Sequence, residues 1–201
     1  MKLLVQRAGF LLVVLIVLAL AVQTVVTAQP SADSQVYLPI VSYWPTPTPT
    51  PTPTVRPIFT MGPFGGSGGD FFQDSVPDPS YVTGVIIHSG FVVDNLQMVL
   101  NTGALGAHGG DGGVQQQLNL ASDEYITEID GSYGVPNISG WTATEITQIT
   151  IRTNHGTYGP YGDGGGTLFA MAAPAGNEIV GFFGHAGIFV DQLGVLYRVH
   201  R

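Results

Sequence analysis

Short runs of β-branched and aromatic residues, separated by glycine-rich breaks, recur from residue 81 to residue 199. Three of these runs, 115–120, 124–130 and 145–153, alternate apolar and polar positions. In the last of them, Ile146, Ile149 and Ile151 are the apolar residues. A period of two is typical of a half-buried β-strand. No window longer than about two turns has a helical period, and the 28 glycines disfavour helix further. We therefore predict an all-β domain with strands over 81–89, 96–100, 115–120, 124–130, 145–153, 166–172, 178–183 and 190–199.

The chain before this domain divides into two segments of different composition. An unbroken apolar run over 10–22 follows Lys2 and Arg7, which predicts a secretory signal peptide over 1–28, with an uncleaved membrane anchor as the alternative. Residues 29–60 are predicted to form a linker, because alternating Thr and Pro favour an extended polyproline II spacer. Residues 61–201 then make one domain of ordinary size. We expect a secreted or extracellular cell-surface protein, and the lack of cysteine suggests a bacterial source.

The charge of the chain limits its partners. Without residues 1–28, four basic residues remain against 14 acidic ones, a formal charge of −10, and no lysine is left. Nucleic-acid binding requires cations that neutralise phosphates, so the composition argues against it. Binding to anionic lipid surfaces is disfavoured for the same reason, which leaves the alternative N-terminal anchor as the one expected membrane contact.

Two different motifs each occur twice within about 130 residues, which suggests a repeated fold with a repeated binding site. Glycine pairs occur over 65–69 (GGSGG) and 109–113 (GGDGG), and the pattern Gly-x-x-x-Asp occurs over 90–94 and 187–191. Glycine lets a ligand approach the backbone closely, and an aspartate supplies a strong acceptor. Neutral donors beside a carboxylate fit a polyhydroxylated ligand, namely a sugar.

The domain also resembles a known family, the jacalin-related lectins. The resemblance rests on an ordered set of segments at 62–72, 86–94, 108–113, 123–126, 149–154, 158–167 and 179–195, which include both copies of each motif. It covers nearly all of 61–200, and within the family the domain resembles the mannose-binding, banana-lectin-like members. The family implies a β-prism of three four-stranded antiparallel sheets with pseudo-threefold symmetry. It also implies carbohydrate binding that needs no metal, cofactor or catalysis.

The resemblance implies two binding sites and assigns roles to their residues. In the first site, the amides of Gly69, Ile188 and Phe189 would donate to sugar oxygens, and Asp191 would accept from the O4 and O6 hydroxyls. The second site would consist of Phe91, Val92, Asp94 and Gly113. A third glycine loop over 161–166 faces a predicted partner region, 131–141, that has no Asp at the required spacing, so we expect this third position to be degenerate.

The family resemblance also bears on specificity. Galactose-preferring members are processed to free an N-terminal glycine at the first loop, whereas this chain runs unbroken from Gly65 to Asp70. That difference implies a preference for mannose- or glucose-type glycans. Shallow sugar sites are weak singly, so we expect multivalency through two sites per chain or through homo-oligomers.

Three alternatives to sugar binding are a hydrolase, a metal site and an adhesive module. The run 65–69 satisfies G-x-S-x-G and His108-Gly109-Gly110 is similar to an oxyanion motif, but a nucleophile elbow needs a preceding strand and a following helix, so no enzyme is predicted. The five histidines have no ligand spacing and no tandem calcium repeat occurs, so no metal site is expected. The remaining alternative is a structural or adhesive β-prism module that recognises a protein or an envelope polymer.

Overall fold

The computed structural model describes residues 55–201, which all belong to one compact unit. The predicted signal peptide and all but the last six residues of the predicted linker lie outside the described residues. Within 55–201 the chain forms 13 strands, namely β1 (Phe59–Gly65), β2 (Asp70–Gln73), β3 (Val82–Ser89), β4 (Val93–Leu100), β5 (Gly103–Ala104), β6 (His108–Gly109), β7 (Val114–Asn119), β8 (Ile126–Gly134), β9 (Glu145–Thr153), β10 (Thr157–Tyr161), β11 (Thr167–Ala172), β12 (Asn177–Ala186) and β13 (Val190–Val199).

The strands form three antiparallel sheets, each built on a central hairpin. Sheet A has the order β1-β13-β12-β2, sheet B has the order β7-β3-β4 with β5 and β6 sharing the outer position, and sheet C has the order β11-β8-β9-β10. Sheets A and C are joined by a single pairing, between Ile179 and Ile126. This arrangement confirms the predicted prism of three four-stranded sheets.

Each sheet carries a glycine-rich loop across the turn of its own hairpin. In sheet A, loop A (66–69) leaves β1 at one edge and enters β2 at the other, so it must cross the turn that joins β12 to β13. Loop B (110–113) joins β6 to β7 in the same way, and loop C (162–166) joins β10 to β11. The topology therefore places three loop-and-turn pairs in equivalent positions.

The interior of the prism is apolar and takes side chains from all three sheets. The fully buried residues include Ile87, Leu96 and Met98 of sheet B, Ile129, Ile149 and Ile151 of sheet C, and Phe182, Leu193 and Val195 of sheet A. Burial alternates along β11 and along most of β9, where every second side chain is buried, as a strand with one covered face requires. Burial of these side chains provides the main driving force for folding.

Residues just before the predicted domain boundary at 61 are part of the fold. Strand β1 begins at Phe59, and Arg56 donates to Asp78 at 2.8 Å and to Glu178 at 3.2 Å. Asp78 and Glu178 also lie beside the fully buried Arg198, at 3.6 and 3.3 Å. The six described residues at the end of the predicted linker thus include both a strand start and a buried ion-pair partner.

The structure confirms all eight predicted strands, two of which, β9 and β13, have the predicted bounds. The short strands β1, β2, β5, β6 and β10 were not predicted from periodicity, because strands of two to seven residues with mostly exposed side chains carry little alternation. Residues 55–201 contain no helix that is long and apolar enough to span a membrane.

Candidate functional site

Loops A and B are fixed to their turns by the same hydrogen bond. The Gly66 amide donates to the Asp191 carbonyl at 2.7 Å, and the Gly110 amide donates to the Asp94 carbonyl at 3.0 Å. Each turn is closed by its own first glycine, since Gly187 donates to the Phe189 carbonyl and Gly90 to the Val92 carbonyl. The predicted partners are therefore brought together in both sites, although they lie far apart in the sequence.

Both loops require glycine where they pass over the aspartate. A Cβ at Gly68 would collide with the Asp191 carboxylate, and a Cβ at Gly112 would collide with that of Asp94. The next residues, Gly69 and Gly113, have φ values of 64° and 68°, which side chains rarely adopt. The glycine pairs seen in the sequence thus serve close packing and a left-handed backbone at the same time.

The amides that the resemblance assigns to sugar binding have no acceptor within the protein. Among residues 55–201, the amides of Gly69, Ile188 and Phe189 make no hydrogen bond to a protein atom, and neither do those of Phe91, Val92 and Gly113. Ile188 and Phe91 are 62% and 63% exposed at the tips of their turns. Unpaired amides around an exposed tip are available to an incoming acceptor.

Each set of free amides lies beside a nearly covered carboxylate. Asp191 is 6% exposed and Asp94 is 5% exposed. Burial raises the pKa of both carboxyl groups, and the nearby amides of Gly187 and Gly90 oppose this rise. Oδ2 of Asp94 is buried and, within the described chain, receives no hydrogen bond. An enclosed carboxylate with spare acceptor capacity is suited to hydroxyl groups.

A histidine stands beside each glycine loop, and the sequence analysis did not assign it. His185 Nδ1 lies 3.4 Å from the Gly69 carbonyl, and His88 Nδ1 lies 3.3 Å from the Gly112 carbonyl. The two residues occupy matching positions, each two residues before the first glycine of its Gly-x-x-x-Asp turn. That common offset was present in the sequence and extends the internal repeat.

The third loop-and-turn pair lacks the features of the other two. Loop C packs on Thr147, which stands where the other turns have aspartate, and the Thr147 hydroxyl donates to the Gly165 carbonyl at 2.7 Å. Twelve residues separate Gly134 from Thr147, whereas three residues lie between glycine and aspartate in each of the other turns. The hydroxyl is also engaged with Ser132 at 2.8 Å, so this position offers no free acceptor of the same kind.

The long turn between β8 and β9 contacts the first site, and the sequence analysis does not predict this contact. A Cβ at Gly66 would collide with the Thr144 carbonyl, and the Trp141 ring meets Phe189 edge-on at 5.1 Å. The carboxyl group of Glu145 adjoins that of Asp191. The other two loops repeat this arrangement. Loop B packs on Ile188 in the turn between β12 and β13, and the Asp163 amide of loop C donates to the Phe91 carbonyl. The three pairs therefore form a ring in which each loop contacts the neighbouring turn as well as its own.

The site does not have the geometry of a hydrolase or a metal centre. Ser67 lies in a loop between two strands, whereas a nucleophile elbow needs a helix after the serine. His108 is paired with Asp74 at 2.8 Å and stacks on Phe72 at 3.9 Å. Residues 55–201 contain no cluster of three or more histidine, aspartate or glutamate side chains arranged to hold a metal ion.

Comparison with known proteins agrees with this geometry. Residues 61–196 match the family model of the jacalin-like lectin domain. Horcolin from Hordeum vulgare is 34% identical over 140 residues, which cover 67% of this chain and 92% of horcolin. The solved structure of wild-type Malaysian banana lectin superposes with a TM-score of 0.62 at 31% identity, covering 72% of this chain and all of that one. A mannose-binding jacalin-related lectin from Ananas comosus superposes with a TM-score of 0.62 at 30% identity, covering 71% and 99% of the two chains.

The fold and the paired loops thus define a β-prism lectin. The chain belongs to the jacalin-like lectin family, and its domain is a carbohydrate-binding module rather than an enzyme. This confirms the predicted family, fold and lack of enzymatic activity. The relatives named here are plant proteins, and the bacterial source and secretion expected from the sequence stay predictions.

Proposed function

We propose that this lectin binds mannose- or glucose-type glycans at two sites and that it does so without a metal ion. The observation that carries the proposal is the duplicated arrangement of three free amides around one buried aspartate, in loops A and B and their turns. The proposed first site is Gly69, Ile188, Phe189 and Asp191, and the proposed second site is Phe91, Val92, Asp94 and Gly113.

The chemistry of the two sites supports a sugar ligand. Amides are donors to the ring and hydroxyl oxygens of a sugar, and an aspartate accepts from two hydroxyl groups at once. An equatorial O4 next to O6, as in mannose and glucose, suits such an acceptor. Loop A is unbroken, and the Ananas comosus lectin is described as mannose-binding. Both observations favour this sugar class.

Two sites on one chain would compensate for weak single contacts. Few sugar atoms are buried in a shallow site, and hydroxyl groups must be desolvated, so single-site affinities are low. Two sites on one end of the prism would raise the avidity for a branched or clustered glycan. We also propose that the domain is presented outside the cell, either secreted or held at the surface by residues 1–60.

A glycan array with and without chelator tests the proposal. We expect binding to mannosides or glucosides that is unchanged by EDTA. Binding to galactosides alone would overturn the specificity, and binding that is lost with EDTA would overturn the metal-free mechanism. No binding to any glycan at high protein loading would favour the adhesive module that recognises a protein or an envelope polymer.

A further inference from the structure

The first site contains a buried acid that has no counterpart in the second. Glu145 is 1% exposed, and its carboxyl group adjoins that of Asp191, whose charge acts on it. Trp141 Nε1 donates to Glu145 Oε1 at 2.9 Å, while Glu145 Oε2 is buried and receives no donor from residues 55–201. Two adjoining carboxyl groups hydrogen-bond only when one of them holds a proton.

The geometry assigns that proton to Glu145. Its Oε1 already accepts from Trp141, as the carbonyl oxygen of a carboxylic acid would, which leaves Oε2 as the hydroxyl that donates to Asp191. The Gly187 amide lies near the carboxyl group of Asp191 and favours its ionised form. Burial and the charge of Asp191 raise the pKa of Glu145 to about 7.

We propose that Glu145 is a positioning residue for the first site: protonated, it holds Asp191 as an ionised hydroxyl acceptor, so sugar binding there weakens as the pH rises above neutrality. This inference rests on the proposed function. When Glu145 loses its proton, two carboxylates repel each other in a nearly closed space and the hydrogen bond that orients Asp191 is lost.

The second site is a control within the same molecule. Loop B packs on Ile188 in the same way as loop A packs on Thr144. Glu145 follows Thr144, and Phe189 follows Ile188, so at the second site Phe189 takes the place of Glu145 and cannot titrate. A histidine faces the aspartate of both sites, His185 in the first and His88 in the second. A pH effect caused by the histidine would therefore occur at both sites, whereas an effect of Glu145 is confined to the first.

Apart from His185, the groups that surround Glu145 and Asp191 are neutral. His185 reaches Asp191 from β12, Trp141 reaches Glu145 from the long third turn, and loop A contributes Gly66 and Gly68. Glu145 pairs with Gly134 of β8 across the sheet. The charged neighbour that acts on the pKa of Glu145 is therefore Asp191, and His185 acts on Asp191.

The test follows each site separately by NMR. Methyl α-mannoside is titrated into the ¹³C-methyl-labelled full-length protein at pH 6 and pH 8.5, with the methyl groups of Ile188 and Val92 as reporters of the two sites. With a Glu145 pKa of about 7, we expect the first-site affinity to fall roughly thirtyfold between these pH values, because proton-linked binding weakens in proportion to the loss of the protonated form. The second-site affinity should stay constant.

Glu145→Gln supplies the matched variant. An amide donates to Asp191 and accepts from Trp141 without titrating, so the variant should keep its first-site affinity at pH 8.5, whereas Glu145→Leu should weaken that site at both pH values. An equal pH response at both sites, or a decline that persists in Glu145→Gln, would overturn the proposal.

A carboxyl-carbon titration separates this inference from the proposed function. The ¹³C carboxyl resonance of Glu145 should titrate near neutral pH and move to higher pH when sugar binds, because coupling between two ligands is reciprocal. A midpoint below pH 5 would overturn the shared proton whatever the sugar result. A normal Glu145 titration near pH 7 together with no sugar response at either site would instead overturn the proposed function.

Discussion

Gly66 and Asp191 are joined by a 2.7 Å hydrogen bond from the amide of one to the carbonyl of the other, although they lie at opposite ends of the domain sequence. Gly110 and Asp94 repeat the same bond at 3.0 Å. Each bond places a glycine loop directly over an aspartate side chain, and the two sites are therefore comparable residue by residue. This equivalence allows every variant in one site to be checked against the other.

The first prediction concerns the glycines that pass over the aspartates. Gly68→Ala should remove sugar binding at the first site alone, because its Cβ would collide with the Asp191 carboxylate. Gly112→Ala should do the same at the second site through Asp94. Isothermal titration calorimetry should show the stoichiometry fall from two to one in each variant.

Gly156→Ala is the matched control for these variants. A Cβ at Gly156 would meet no atom within 4 Å, so the stoichiometry should stay at two. If Gly68→Ala binds two sugars with unchanged affinity, loop A is not part of a site.

The second prediction concerns the two carboxylates. Asp191→Asn and Asp94→Asn should each lower the affinity of their own site by about tenfold or more, since a hydrogen bond to a charged group contributes roughly 1.5–3 kcal/mol. The exposed Asp163 of loop C, at the degenerate third position, provides the comparison. Asp163→Asn should leave both affinities unchanged, and a loss in that variant equal to the loss in Asp191→Asn would contradict the assignment of only two sites.

The third prediction concerns the stability of the fold against pH. The pKa of Glu145 is raised from 4.5 to about 7, so the folded protein binds more protons than the unfolded chain between these values. The contribution of Glu145 is therefore complete below pH 4.5 and is lost as the pH rises through 7, by up to about 3 kcal/mol. In urea titrations, Glu145→Gln should match the wild type at pH 4 and exceed its stability at pH 8. Equal stabilities at pH 8 would show that the fold does not raise the pKa of Glu145.

The fourth prediction concerns Arg56, which is 17% exposed and contacts Asp78 and Glu178. Arg56→Ala should lower Tm by roughly 5 °C or more, because two partly buried carboxylates lose their hydrogen bonds to Arg56 and keep Arg198 as their cationic neighbour. Arg152, whose side chain is 44% exposed beside Asp130, is the matched control, and Arg152→Ala should change Tm by less than about 2 °C.

The Arg56 contribution should also depend on pH. The hydrogen bonds from Arg56 lower the pKa of Asp78 from 3.8 to about 2. The stabilisation is therefore present above pH 4 and is lost as the pH falls through 2. Thermal melts of the wild type and Arg56→Ala should converge over that range; a difference that stays constant down to pH 2 would show that the Asp78 pair is not its source.

The sequence by itself was sufficient for the local elements and for the two repeated motifs. Alternation in 145–153 predicts β9 to the residue, because a sheet with one buried face favours a period of two. The β-branched and aromatic content of 190–199 predicts β13 to the residue as well. The pairs of glycines and the two Gly-x-x-x-Asp turns can also be identified from the sequence, since their spacing repeats within the chain.

Only the tertiary structure decided which neighbours complete each site. Glu145 and Trp141 lie in the turn of sheet C, yet they contact Asp191 and Phe189 in the turn of sheet A. Sequence spacing carries no information on such contacts, because they arise from the way three sheets close into a prism and bring each turn against the next loop. In the first site, the same closure places the buried acid Glu145 against Asp191. In the second site, the residue that corresponds to Glu145 is Phe189, an aromatic ring.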